Sequence, residues 1–360
     1  MKLKDLLKEK DLYKKTDLWL ISLMTLAAFL LSGLTIYDIS SLPLFSGGTV
    51  ADVEMSDLYN AVGNRRRVMK KASHTTILSI DGCSRAQIAD ALELLSFMGP
   101  STIGMDVFFL RKDDEGELLE KALKEFPAVV LPLDLHRPEM ISFFQDSIPR
   151  AQEGFVNIIS SNATGSVRRF SCTSGDIPSF PYVLAGKPPL ESVKSNLIRF
   201  DGTTIPVIQA KSLSIADADD ISGKIVIIGA MDDPSDMYRT PIGYQTPGIL
   251  IHAVVTELIS SGRYLRKCNI WLERIIAIAI CALFLWLTLI LKRYKDDAGT
   301  LTMRIVLILL VFTLFIIGCR FYISWGWYFN LSLTVTMLAM GAFVFDIVSG
   351  IYALIPDRKI

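Results

Sequence analysis

The chain has 360 residues, 51% of them hydrophobic, with 37 basic against 37 acidic residues and a mean hydropathy of +0.40. That apolar content is rare in a soluble domain, and the balanced charge gives no support to nucleic-acid binding. Five cysteines without CxxC spacing form neither a disulfide framework nor a metal-finger pattern.

Residues 1–17 carry six lysines, and "MKLKDLLKEKDLYKK" sets Leu3, Leu6 and Leu7 near one face. This reads as a basic amphipathic segment lying on anionic lipid, with docking to a partner as the alternative. Residues 18–36, "LWLISLMTLAAFLLSGLTI", form the first of four apolar runs. About 20 apolar residues cross a hydrocarbon core of about 30 Å as helix, and each run supplies about that. The first run is longer than the apolar part of a signal peptide and lacks a clean cleavage site, so it is expected to be an uncleaved anchor.

Residues 37–269 hold 23 Lys and Arg against 28 Asp and Glu, a net of −5. This region is long enough for one sizeable core. Its leading part ends in "NRRRVMKK", expected to be a solvated helix face. A regular alternation follows. "TTILSID" is a β-branched run, "SRAQIADALELLSFMG" has helical spacing at Ile88, Leu92, Leu95 and Met98, and "STIGMDVFF" is a second apolar run. "DEGELLEKALKEF" is a second amphipathic helix, "AVVLPL" a third strand, and "GKIVIIGA" a late buried strand before the helix "ILIHAVVTELISSG". Apolar runs alternating with amphipathic helices predict a mainly parallel sheet covered by helices. Residues 134–223, with "GFVNII" and "SNLIRF", are expected to be an insertion or an antiparallel edge.

Open parallel sheets bind ligands at the carboxyl ends of their strands. Asp81 ends the first strand, Asp106 lies in the second, and Asp232 and Asp233 follow the late one. Ser84 is placed to cap the helix after Asp81. These residues, with His252 on the late helix, are the candidate ligand-binding set. The alternative is that Asp81 caps a turn, Asp106 pairs with an arginine, Asp232 and Asp233 are solvated and His252 is packed in the core. Nucleophile elbows, Walker loops, HExxH and GxGxxG are absent from the sequence, so neither a catalytic residue nor a cofactor or metal ligand is assigned.

The remaining runs are 271–291, 305–323 and 328–354. Lysines and arginines crowd residues 1–17 and the joint 292–304, while the joint "SWGW" carries two tryptophans and no basic residue. The positive-inside rule then places both termini and the 292–304 loop in the cytoplasm, with 37–269 outside and a six-residue tail, 355–360, inside. Asp346 is the acid well inside a span. Such a charge needs a partner, and Arg304 at the inner end of the third span is the candidate.

The stretches "ILSIDGCS", "STIGMDVFF", "AVVLPL", "EGFVNII…TGSVRRF", "PSFPYVLAG", "GKIVIIGAMDDPSDMYRTPIG" and "TPGILIHAVVTELISSGRYL", in this order and spacing, resemble the CHASE2 domain. That family is an extracytoplasmic sensory module of bacterial receptors, with one membrane helix before it and three after. Gly82 stands where the family often carries a second acid. The resemblance implies a sensor in a bacterial cytoplasmic membrane. Receptors of this kind usually continue into an output domain, so the signal is expected to pass to a separate cytoplasmic or membrane partner; self-association is a further option. A structural subunit of an envelope complex is the second reading, and a metal-dependent extracytoplasmic enzyme the third.

Overall fold

The computed structural model describes residues 15–38, 54–65, 71–148, 150–160, 165–193, 195–200, 203–295 and 297–353. Most of the basic N-terminal segment, most of "NRRRVMKK" and the tail 355–360 lie outside the described residues. The chain divides into two units. One comprises residues 60–266, the other residues 1–59 with 267–360. Helix α1 (Lys15–Asp38) and helix α2 (Met55–Arg65) precede the sheet domain.

The domain is built on six strands: β1 (Thr75–Ser79), β2 (Thr102–Met105), β3 (Val129–Leu133), β4 (Gln152–Phe155), β5 (Val207–Gln209) and β6 (Ile225–Gly229). Their order is β4-β3-β2-β6-β1-β5, and every pairing is parallel. The crossover after β1 is helix α3 (Arg85–Met98), and that after β2 is α4 (Asp114–Lys124). Both begin where the sequence supplies a cap. Ser84 accepts the Gln87 amide in a capping box, and Asp113 accepts the Gly116 amide.

The β-branched strands bury both faces because their side chains alternate between two cores. Leu78, Ile103, Val226 and Ile228 meet Leu92 and Leu95 of α3 and Leu119 and Leu123 of α4. On the other face Ile77, Val130, Ile225 and Ile227 meet Phe180 of the short helix α5 (Phe180–Leu184) and Ile249 and Ala253 of the late helix Gly248–Ser260. Truncating Ile227 to Ala would cost about 2–5 kcal/mol.

The region expected to be an insertion or antiparallel edge supplies both edges of the sheet, and both are parallel. Strand β4 pairs with β3, and β5 pairs with β1. An edge strand has one ladder and exposed flanks, as Gln152 and Glu153 show, so it lacks the apolar run that marks a central strand. After β5 comes a turn of helix, α6 (Ala218–Ile221). After β6 come the antiparallel pair β7 (Met237–Thr240) and β8 (Gly243–Pro247), which deliver the chain to α7 (Gly248–Ser260).

The second unit is helical. Three helices, α8 (Ile270–Lys295), α9 (Asp297–Trp325) and α10 (Ser332–Ala353), contain stretches long and apolar enough to cross a membrane. In α1 the apolar stretch Leu18–Gly33 is shorter, within a helix of 24 residues, about 36 Å long. Ile21, Met24 and Ala28 of α1 pack with Ala277, Cys281 and Leu285 of α8 and with Met337 and Phe345 of α10. Helix α9 packs Met303, with Leu307, Leu310 and Leu314 beside it, against Phe284 of α8 and Leu338 of α10, and on another side exposes Ile305, Ile308, Leu309, Phe312 and Ile316, an apolar surface suited to lipid. The expected loop 292–304 is helical on either side of residue 296, since charged residues at span ends continue a helix as readily as they leave it.

Candidate functional site

A cleft of about 480 Å³ opens at the carboxyl ends of β2, β3, β4 and β6. Parallel strands direct their ends, and the loops after them, to one edge of the sheet, which is why four separate segments meet there. Asp106 follows β2, Asp134 follows β3 and Asn157 follows β4. Asp233 and Asp236 come from the loop after β6, Tyr238 from β7 and His252 from α7.

Asp134 is held rigidly and is 5% exposed. It accepts the His136 amide at 2.9 Å, the Asn157 side-chain amide at 2.9 Å and the Arg137 Nε–H at 2.9 Å. Burial pushes its pKa up, but these hydrogen bonds and the Arg137 charge outweigh it and hold the carboxyl at about 2. Asn157 in turn accepts the Leu135 amide at 2.7 Å, which locks the turn after β3 to the end of β4.

Asp106 and Asp236 behave in the opposite way. Burial pushes Asp106 up to about 7. Burial, and then the neighbouring Asp106 charge, push Asp236 up to about 6 against the pull of His252 and Tyr238. Burial brings His252 down to about 4, although Asp236 favours its charged form. The Asp236 carboxylate lies against Cα of Gly248, the first residue of α7, in space that any side chain at 248 would occupy. The positive end of the helix dipole there favours the anion.

Among the candidates from sequence, Asp106, Asp233 and His252 line this cleft, while Asp81, Ser84 and Asp232 do not. Asp81 instead accepts the backbone amides of Met231 at 3.0 Å and Asp232 at 3.2 Å, and lies 2.5 Å from the Ser79 hydroxyl. It pins the start of the loop after β6, so its carboxylate is consumed by the fold. Ser84 is exposed and spent on the α3 cap, and Asp232 is exposed to solvent. Asp233 accepts the hydroxyl and the amide of Ser235, which hold its carboxyl below the usual range.

Asp134, Asn157, Asp236 and Tyr238 are not among the residues singled out from sequence. Asp134 ends the third strand as Asp81 ends the first, in "AVVLPLDLH", so the strand-end rule applied once more would have found it. Asn157 sits in "GFVNII", and Asp236 in the polar loop after β6; nothing local marks either. Among the described residues, no group of three or more His, Cys, Asp or Glu side chains is arranged to hold a metal ion.

In the helical unit Arg304 of α9 donates to Asp346 of α10 at 2.9 Å. Gly341 brings α10 against Cys281 of α8, whose thiol donates to the Met337 carbonyl at 3.4 Å. The small residue at 341 therefore serves packing within the chain.

Together these features define an α/β domain with a solvent-reached cleft, continued in sequence by apolar helices of membrane-crossing length. The family model for the CHASE2 domain matches residues 74–291, and the chain belongs to that family of extracytoplasmic sensory domains. Comparison with curated proteins and with solved structures returned no match.

Proposed function

We propose that the protein is a non-enzymatic membrane sensor whose cleft detects a small molecule outside the cytoplasm. The observation that carries this reading is the 480 Å³ cleft at the carboxyl edge of the sheet, in a domain of a sensory family. Its size falls in the range of small-ligand sites, and its walls mix apolar Val107, Phe108, Val156 and Ile158 with convergent polar groups. The chain sits in a bacterial cytoplasmic membrane with both termini inside and the sheet domain outside. Occupancy of the cleft shifts the helices, and a separate protein reads that shift. Ligands change an equilibrium only through differential affinity, so occupied and empty clefts must favour different helix arrangements.

The test is partner identification. The protein is crosslinked in its native membrane, extracted in mild detergent, and its stoichiometric companions are identified. A companion with a cytoplasmic catalytic or regulatory domain supports the sensor. Recovery of envelope proteins alone, unchanged by Asp106→Asn, would transfer the protein to the class of structural subunits.

A further inference from the structure

We infer that the cleft takes a compact organic cation, an amine or guanidinium carried on a short apolar body. This rests on the reading of the cleft as the sensing site and names the class of molecule that fits it.

Charge is the first argument. Asp106, Asp233 and Asp236 line the cleft, and among the described residues its lining lysines and arginines reduce to Arg137. That guanidinium is committed to Asp134 through Nε and Nη2, both at 2.9 Å. What remains is a concave surface of one sign, and clefts of this kind concentrate ions of the other sign.

Burial is the second. His252 is 6% exposed and lines the cleft beside Asp236 without giving it a fixed cation, since burial keeps the imidazole neutral. Asp106 and Asp236 sit deep enough that desolvation weighs against their charged forms. An incoming ammonium or guanidinium restores the charged forms and donates hydrogen bonds to the carboxylate oxygens, which only accept.

Shape is the third. Among the described residues, no three of the acids converge as a metal-ligand group. A bare divalent ion needs several oxygens at about 2.0–2.6 Å, whereas an organic cation spans a wider site. Val107, Phe108, Val156 and Ile158 leave apolar wall for its body, and an aromatic ring such as Phe108 also favours a cation.

The test uses the full chain in lipid nanodiscs at pH 8, with thermal shift and calorimetry. The probes are 1,4-diaminobutane, agmatine and arginine amide, with 1,4-butanediol, succinate and calcium chloride as neutral, anionic and metal counterparts. Expected is saturable binding of at least one cation, with the neutral and anionic counterparts silent. Asp106→Asn and Asp236→Asn should each weaken it by about thirtyfold or more. Asp232→Asn, outside the cleft, should stay within about twofold. His136→Trp, which bulks an exposed lining position, should block entry. Binding of succinate or butanediol that His136→Trp abolishes would overturn the cation while keeping the cleft as the sensing site. Calcium binding in place of the amines would also overturn it. Silence from every probe would overturn the cation and count against the cleft. Amine binding unchanged in both Asp variants would place the cation elsewhere and end the proposal.

Discussion

The carboxylate of Asp236 rests against Cα of Gly248, so an acid from the loop after β6 is seated on the first turn of the helix that carries His252. The contact joins the two segments that close one side of the cleft. A methyl group at 248 would have to displace the carboxylate.

Gly248→Ala should therefore destabilise the domain by about 1–3 kcal/mol despite alanine's better helix propensity. Asp236→Ala in the same chain should recover part of the loss. A double-mutant cycle by denaturant unfolding checks this, with a coupling of about 0.5 kcal/mol or more expected and additivity refuting it.

Stability should respond to pH through Asp106. Its folded pKa of about 7 lies above its ordinary value of 3.8, so the folded state holds a proton that the unfolded state has released between these two values. Unfolding then releases a proton, and this group's contribution falls as pH rises from about 4 to about 7. Asp236 acts in the same direction from about 4 to about 6, while His252, depressed to about 4 from 6.5, acts oppositely. Asp106→Asn should remove its share of the decline. Allowing for water in the cleft, the variant should gain about 1 kcal/mol at pH 7 relative to pH 4.5, compared with the unmodified chain. Melts at the two pH values measure it.

Two aspartates that look alike in sequence should separate sharply. Asp81→Ala leaves the Met231 and Asp232 amides without their acceptor and should cost about 1–3 kcal/mol. Asp232→Ala, at an exposed carboxylate, should stay within about 0.5 kcal/mol. Equal effects in chemical denaturation would contradict the assigned roles.

Asp346→Asn and Arg304→Gln should each lower the thermal stability of the detergent-solubilised bundle, since each strands a charge on a helix surface. The exchanged pair, Arg304→Asp with Asp346→Arg, should restore most of it. Failure of the exchange would mean that the 2.9 Å contact contributes little beyond geometry.

The proposed topology places residue 232 outside and residue 295 inside. In a chain lacking Cys83 and Cys172, a membrane-impermeant maleimide should label Asp232→Cys in intact cells and leave Lys295→Cys unlabelled until lysis. The reverse pattern would invert the protein in the membrane.

Much of this molecule is determined by its sequence alone, because the signals are local. The periodicity of "TTILS" and "KIVIIG" against "AQIADALELL" specifies strands buried on two faces and the helices that cover them. Apolar stretches in 270–292, 301–325 and 332–351 specify helices of membrane-crossing length. Ser84 announces its helix cap, and the charges at 304 and 346 announce a pair. The tertiary structure decided which acids meet. Asp81 and Asp106 both stand at strand ends, yet the loop after β6 folds back over Asp81 and consumes its carboxylate in backbone hydrogen bonds, while Asp106 is left facing the cleft. Asp134, Asn157 and Asp236 join it from segments up to 130 residues away, brought together because parallel pairing aligns every carboxyl end on one edge. The edge strands β4 and β5 were settled in the same way, by the partner each found, since a single ladder can hold a segment whose own sequence carries almost no strand signal.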